Sequence, residues 1–258
     1  MKKKLNILLL TLTLVSFLGL CGYFMYEHFN SRLDDVNLKI VRNDGNFLDY
    51  QKTYDDIMGI CDTANNTQIV MIPVDSVVES LNQIPWVTSV EAEINLKSIL
   101  DVEVVECEPI MRVYNKKGNS VYLDEEGNLF STDNDYVPHL LVASGNINFP
   151  INDKGNINDE NYVDTDLPEI FSLMKEIVHD DYARICVKQV FKDKNKNYVF
   201  SLNNTNIIVI FGDVNNIKEK LFKMRHFFNK MQGNPEMDNY KEINLNYKNQ
   251  VVCTKKKK

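Results

Sequence analysis

The sequence predicts an α+β protein: a single N-terminal transmembrane helix, a small strand-helix-helix-strand-strand domain, then a β-rich domain with two helices and a C-terminal strand. Three observations carry that prediction. Leu5 to Met25 is uncharged and almost wholly apolar or small. A helical stripe ending at Pro85 is followed by two alternating strands. From Ile110 onward short hairpin signals dominate, interrupted by two more helical stripes. The implied division is 1–4 cytoplasmic tail, 5–25 membrane helix, 26–35 linker, 36–109 first domain, 110–253 second domain and 254–258 basic tail.

The apolar segment has spanning length: about 21 residues rise roughly 31 Å, against a hydrocarbon core of about 30 Å. Lys2, Lys3 and Lys4 precede it, which puts the N-terminus in the cytoplasm and the body outside. A cleaved signal peptide is the rival reading, but the small-x-small cleavage chemistry is poor. Leu18-Gly19-Leu20-Cys21 faintly suggests a lipoprotein signal, with bulky Leu20 where a small residue belongs. A buried soluble helix fits badly, because apolar residues occupy every face.

In the first domain, Val36 to Val41 alternates and reads as a strand. Asp44-Gly45-Asn46 is a turn. Tyr54 to Ile60 suits a short helix, and Asp62 to Gln68 a polar loop. A second helix starts near Asp75 or Ser76, where Ser76-x-x-Glu79 fits a capping box. Val77, Val78, Leu81 and Ile84 form its buried stripe, and Pro85 ends it. Val87 to Ile94 and Leu100 to Val105 are strands around a turn near Asn95 to Ser98. Leu100, Val102 and Val104 face a core, while Asp101 and Glu103 face water.

In the second domain, Lys117-Gly118-Asn119 and Glu125-Glu126-Gly127 are hairpin turns. Asn146 to Asp166, rich in Asn and Asp without periodicity, reads as a loop or flexible insertion. Asp166-Leu167-Pro168-Glu169 opens a helix, with Asp as cap and Pro in the first turn. Ile185 to Phe191, Tyr198 to Leu202 and Ile207 to Phe211 are strands. Ile217, Leu221, Met224, Phe228 and Met231 give the clearest helical stripe. Lys241 to Val251 then reads as one terminal strand, with Ile243, Leu245, Tyr247 and Val251 on one side. Such a strand either closes its own sheet or offers an edge to a partner.

The chemistry of catalysis is missing from this pattern. His28, His139, His179 and His226 do not pair at metal-ligand spacing. No phosphate-binding Gly-rich loop and no Gly-x-Ser-x-Gly elbow occurs. His179-Asp180-Asp181 follows a helix, where the histidine suits the dipole. Asp124, Glu125 and Glu126 read as a carboxylate-rich turn rather than a metal site. Cys21, Cys61, Cys107, Cys186 and Cys253 are widely spaced and read as isolated thiols, with one bridge open if the body is extracytoplasmic. Trp86 reads as an anchor of the small core, with an exposed partner contact as the other reading. The net charge is −7, and the seven lysines of the two ends leave −14 on the rest. An acidic body argues against nucleic acid as main partner and against broad adsorption to anionic lipid.

Several of these residues together resemble the FtsQ family, called DivIB in other bacteria. Pro85-Trp86-Val87 after an amphipathic helix looks like the end of that family's POTRA domain. Glu106-Cys107-Glu108-Pro109 resembles its Glu/Gln-Arg-x-Pro junction, with Cys107 where Arg is usual and Arg112 retained nearby. Tyr122 to Gly127 looks like the hairpin opening its β domain, and Ile243 to Cys253 is similar to the closing strand of Bacteroidetes-type members. The resemblance implies a POTRA-like first domain and a bitopic, non-enzymatic cell-division scaffold. It implies no catalytic residue, cofactor or metal. Its partners would be FtsB-like and FtsL-like proteins, linking early and late divisome components to septal wall synthesis. Docking would fall on Ile217 to Met231 and on the last strand, with Tyr240, Ile243, Leu245, Tyr247, Asn249 and Val251 as contacts. The implied location is the cell inner membrane, as a single-pass type II protein with a periplasmic body, concentrated at the septum. Two other classes compete. A POTRA-bearing outer-membrane insertion factor would need a long barrel after the first domain. An anchored enzyme or extracytoplasmic ligand-binding module would need a site that the motifs do not supply.

Overall fold

The computed structural model describes residues 2–42, 45–61, 68–203 and 205–256, with only the backbone of 2–8. Asp44 of the expected turn, most of the expected loop from Asp62 to Gln68, and Lys257 and Lys258 lie outside them. The chain divides into two compact units, Met1–Glu106 and Cys107–Lys258.

The first unit opens with α1 (Lys2–Asn30), which carries the expected anchor and continues five residues past Met25. Its described part, Leu9–Asn30, has an apolar window of mean hydropathy 1.7 in which no residue is buried in the protein. Then come β1 (Asp35–Val41), α2 (Tyr50–Cys61), a 3-10 turn (Ile69–Met71), α3 (Val74–Asn82), β2 (Val87–Ile94) and β3 (Ile99–Glu106). The strands order β1-β3-β2, with β1 parallel and β2 antiparallel to β3. Leu100, Val102 and Val104 are buried with Ile57 of α2 and with Val77 and Leu81 of α3. Asp101 and Glu103 face outward, where Lys39 lies 2.8 Å from Glu103. The alternation in β3 therefore marks a sheet with one covered face, as expected.

Two local expectations are corrected here. α3 begins at Val74, so Pro73 occupies the cap position and makes no side-chain cap. Ser76 lies inside the first turn, where its hydroxyl cannot serve as the N-cap of a Ser76–Glu79 box. Trp86 is only half-buried, and the neighbouring Val87 fills the core position.

The second unit holds β4 (Met111–Tyr114), β5 (Ser120–Leu123), β6 (Asn128–Ser131), β7 (Leu141–Gly145), β8 (Lys154–Asn156), α4 (Glu160–Val163), α5 (Leu167–His179) and α6 (Ala183–Cys186). It continues with β9 (Val187–Lys192), β10 (Tyr198–Leu202), β11 (Ile208–Gly212), α7 (Ile217–Met231), a 3-10 turn (Pro235–Asn239), β12 (Tyr240–Asn244) and β13 (Val252–Lys255). These strands make one mixed sheet in the order β13-β12-β11-β10-β9-β7-β4-β5-β6-β8. The two expected helices are α5 and α7; α4 and α6 are single turns that periodicity could not register. The stretch from Asn146 to Asp166 is not a loose insertion. Ile147, Phe149, Ile157 and Tyr162 are buried in the main core, and β8 extends the sheet. Its apolar residues are point anchors along a wandering path, so they show no period.

Other polar groups serve the frame. Asp124 is buried and accepts backbone N–H bonds from Glu126 and Asn128, closing its turn. His179 lies 3.1 Å from Glu125 and 2.8 Å from the Lys175 carbonyl, which ties the end of α5 to that turn. Asp180 accepts from the N–H groups of Tyr182 and Ala183 at the start of α6. Arg112 donates to the Ser120 hydroxyl and lies over the Tyr114 and Tyr122 rings. Cys107, at the usual arginine position, is buried.

Asp166 does not cap α5 through its side chain. Its carboxylate instead lies 2.9 Å from the Lys192 ammonium, which also reaches Glu169 at 3.2 Å. The Tyr198 hydroxyl donates to Glu169 at 2.6 Å, and burial, then that carboxylate, pushes the phenol pKa up. Lys192 is thus a buried cation held by two half-exposed carboxylates at the start of α5. Lys192→Ala is expected to cost roughly 2–3 kcal/mol, since it strands the carboxylates and leaves a cavity. Lys192→Met is expected to recover part of that in denaturant unfolding, by refilling the space.

Candidate partner-docking edge

The last third of the chain builds one end of the sheet. β11 runs into α7, which crosses back so that β12 lies parallel to β11. Leu221 and Met224 of α7 are buried in the core, with Ile217 and Phe228 packed against it. Lys220, also on α7, is buried; it donates to the Asp213 carbonyl at 2.8 Å and carboxylate at 2.5 Å, and lies over the Phe211 ring. That hydrogen bond holds the Asp213 carboxyl below its ordinary 3.8. The link between β11 and α7 is therefore fixed by a buried cation on the helix it introduces.

α7 also holds the chain after β12. Lys223 donates to the carbonyls of Leu245 (2.8 Å) and Tyr247 (3.0 Å). On the outer face of the helix Phe222 is exposed and stacks on His226, with Arg225 over the Phe222 ring.

The expected terminal strand from Lys241 to Val251 is corrected to a hairpin. β12 stops at Asn244; Asn246 then donates its N–H to the Asn244 side chain, and Asn249 adopts φ +58°. The chain returns as β13, antiparallel to β12, with Ile243 opposite Cys253 and Asn244 opposite Val252. The period-two pattern continued through polar residues that the fold uses as a turn, because asparagines satisfy both a wet strand face and an Asx turn.

This placement separates the six candidate residues. Ile243 and Leu245 are fully buried, and the Leu245 N–H donates to Ile210 of β11. Tyr240 is half-buried against Phe227, and Val251 is half-buried against the core. Tyr247 is 48% exposed and Asn249 is exposed, both in the turn. The strand at the sheet edge is β13, which sequence reading ended too early; its signal was the β-prone run Val251-Val252-Cys253-Thr254 after the asparagines.

The edge can be read atom by atom. Leu245 N–H faces β11, so alternation turns the N–H groups of Asn244 and Glu242 toward β13. Lys256 N–H donates inward to Asn239, which fixes the same phase on β13. Val252 and Thr254 therefore pair inward, and Cys253 and Lys255 present their backbone groups outward. The Cys253 side chain packs against the core, and burial pushes its thiol pKa up. What this arrangement can do chemically is accept a strand.

A family model described as FtsQ/DivIB, C-terminal related, matches residues 108–254, more than half of the chain. The chain belongs to the FtsQ/DivIB family. The match begins at the second residue of the second unit and ends inside β13, so the sheet edge of this FtsQ/DivIB-type protein lies within the family region. Family membership and the apolar N-terminal helix fit a membrane-anchored protein of cell division. No curated protein matches the chain.

Gly212 is a weak point that can be tested. It has φ +83°, and a Cβ there would overlap the Asn246 side chain in the β12–β13 turn. Gly212→Ala is expected to cost about 1–3 kcal/mol. A lower Tm of the purified protein checks it.

Proposed function

We propose that this protein is a non-enzymatic division scaffold whose β13 edge accepts a strand from an FtsB-like partner held with an FtsL-like one. The observation that carries the proposal is the outward backbone of Cys253 and Lys255 on the last strand of the sheet. Of the six contacts expected from sequence, Tyr247 and Asn249 are accessible beside that edge. Ile243 and Leu245 support it from below as core residues, with Tyr240 and Val251 half-buried around them. Lys255 and Lys256 lie exposed along it. Edge lysines discourage pairing with arbitrary strands and favour an acidic one, so binding should weaken with salt. Exposed Phe222 and His226 on α7 provide a second contact for a helix preceding the partner strand.

The rest of the reading follows from this role. The first unit has the expected strand-helix-helix-strand-strand order; as a POTRA-like domain it would serve recruitment. In this reading the anchor holds a type II protein of the inner membrane, with a periplasmic body concentrated at the septum. There it links early and late divisome components to septal wall synthesis. No nucleic acid, cofactor or metal is needed for this role.

Two experiments test it. Lys255→Pro removes an outward N–H without touching the β12 pairing, and proline is tolerated on edge strands. It is expected to reduce capture of the FtsB/FtsL pair by the full-length protein about ten-fold or more, equivalent to roughly 1.4 kcal/mol. An unchanged circular dichroism melt would show the fold intact; undiminished capture would remove β13 as the edge. A charge at Leu245 is unsuitable for the same purpose, because that side chain is buried. In cells, depletion of the protein is expected to give filaments, and normal division in a clean deletion would sink the division role.

A further inference from the structure

The first unit is locked to the end of its anchor. Ser31, one residue past α1, has its hydroxyl 2.5 Å from that of Ser98, and Asp34 donates its N–H to the Ser98 carbonyl. The 3-10 turn is held at the same point, because the Ile69 N–H donates to the Ser31 carbonyl and Arg32 bridges to Gln68. The segment expected to be a linker over 26–35 is thus helix as far as Asn30, then a pinned joint.

Two apolar projections flank this joint. The β2–β3 turn presents Leu96, 90% exposed, at its apex. That turn is stiff: Asn95 pairs with Ile99, and its side chain accepts from the Lys97 N–H at 2.8 Å. The 3-10 turn presents Val70 and Met71, 61% and 69% exposed. Turn tips in water normally carry polar residues, so three large apolar ones around one point need a cause.

The height of Leu96 along the anchor supplies it. Leu96 lines a recess together with Phe24, Glu27 and His28 of α1. Phe24 belongs to the last turn of the uncharged segment ending at Met25. If that segment fills a hydrocarbon core of about 30 Å, the five residues after Met25, ending at Asn30, rise about 7.5 Å through the headgroup layer. Leu96 then hangs down beside the helix to the headgroup–acyl boundary. We propose that Leu96, with Val70 and Met71, forms a collar that dips into the outer surface of the lipid bilayer and sets the first unit against it. The occupant is lipid because the collar continues the apolar surface of the anchor itself. The local charges are mixed, with Arg32 and Lys97 set against Glu27, Asp34 and Asp35. Contact therefore depends on apolar insertion and not on anionic headgroups.

This inference rests on the membrane-anchored reading, and one experiment separates the two. Trp86 is the sole tryptophan, so Trp86→Phe gives a silent background. In it, Leu96→Trp, Met71→Trp and Phe17→Trp are each placed in the full-length protein. The proteins are reconstituted in phosphatidylcholine vesicles carrying lipid brominated near the headgroup end of the acyl chains. Quenching of about two-fold or more is expected at positions 96 and 71, with a blue-shifted emission that phosphatidylglycerol does not increase. Quenching at position 17 with water-like, unquenched emission at 96 and 71 overturns the collar but keeps the anchor. Absence of quenching at position 17 overturns both. A blue shift at 96 that appears only at high protein density, without quenching by lipid, assigns the surface to a second copy and also overturns the proposal.

Discussion

One face of a ten-stranded sheet must leave water, and α5 and α7 are what cover it. Their buried residues belong to the same core as the inward side chains of every strand from β4 to β12 except β8. Each helix therefore has to sit within a crossover, and each crossover returns the chain as a parallel strand: β7 to β9 around α5, β11 to β12 around α7. The polar anchors follow from that need. Lys192 ties the start of α5 to β9, and Lys220 ties the start of α7 to the end of β11. Both cations are buried because the helix starts are pressed onto the sheet, and both keep carboxylate partners that still reach water.

The same requirement creates the open edge of the sheet. Once α7 has delivered β12 beside β11, β12 has one open side. The chain closes it with a short hairpin strand instead of another crossover, and β13 is left outermost. A four-residue edge with lysine is a guarded edge, able to pair but unfavourable for promiscuous growth. The open strand at this end is thus a consequence of where the core stops.

The first unit solves a different problem. Its three strands and two helices make a separate small core, and its strand β1 starts five residues after α1 ends. So short a connection leaves little freedom between membrane and domain. The hydroxyl pair of Ser31 and Ser98 and the backbone bonds around it remove more.

Much of this was legible in the residues. The uncharged run from Leu5, the stripe from Ile217 to Met231 and the alternation of Leu100, Val102 and Val104 each state a burial pattern that only one local structure satisfies. Family membership was legible from motif order along the chain. Other features were not, because they depend on what lies across from a residue. The Asn146–Asp166 segment looked loose until Phe149 and Tyr162 met the core. Ile243 to Val251 looked like one strand until Asn249 turned left-handed and β13 folded back. By itself, the sequence determined the anchor, the order of the elements and which faces are apolar, since these follow from hydrophobicity and local period. Only the tertiary structure decided that Ile243 and Leu245 are core and that Cys253 and Lys255 are edge, because a strand's alternation reveals that it has two faces but not which neighbours flank it.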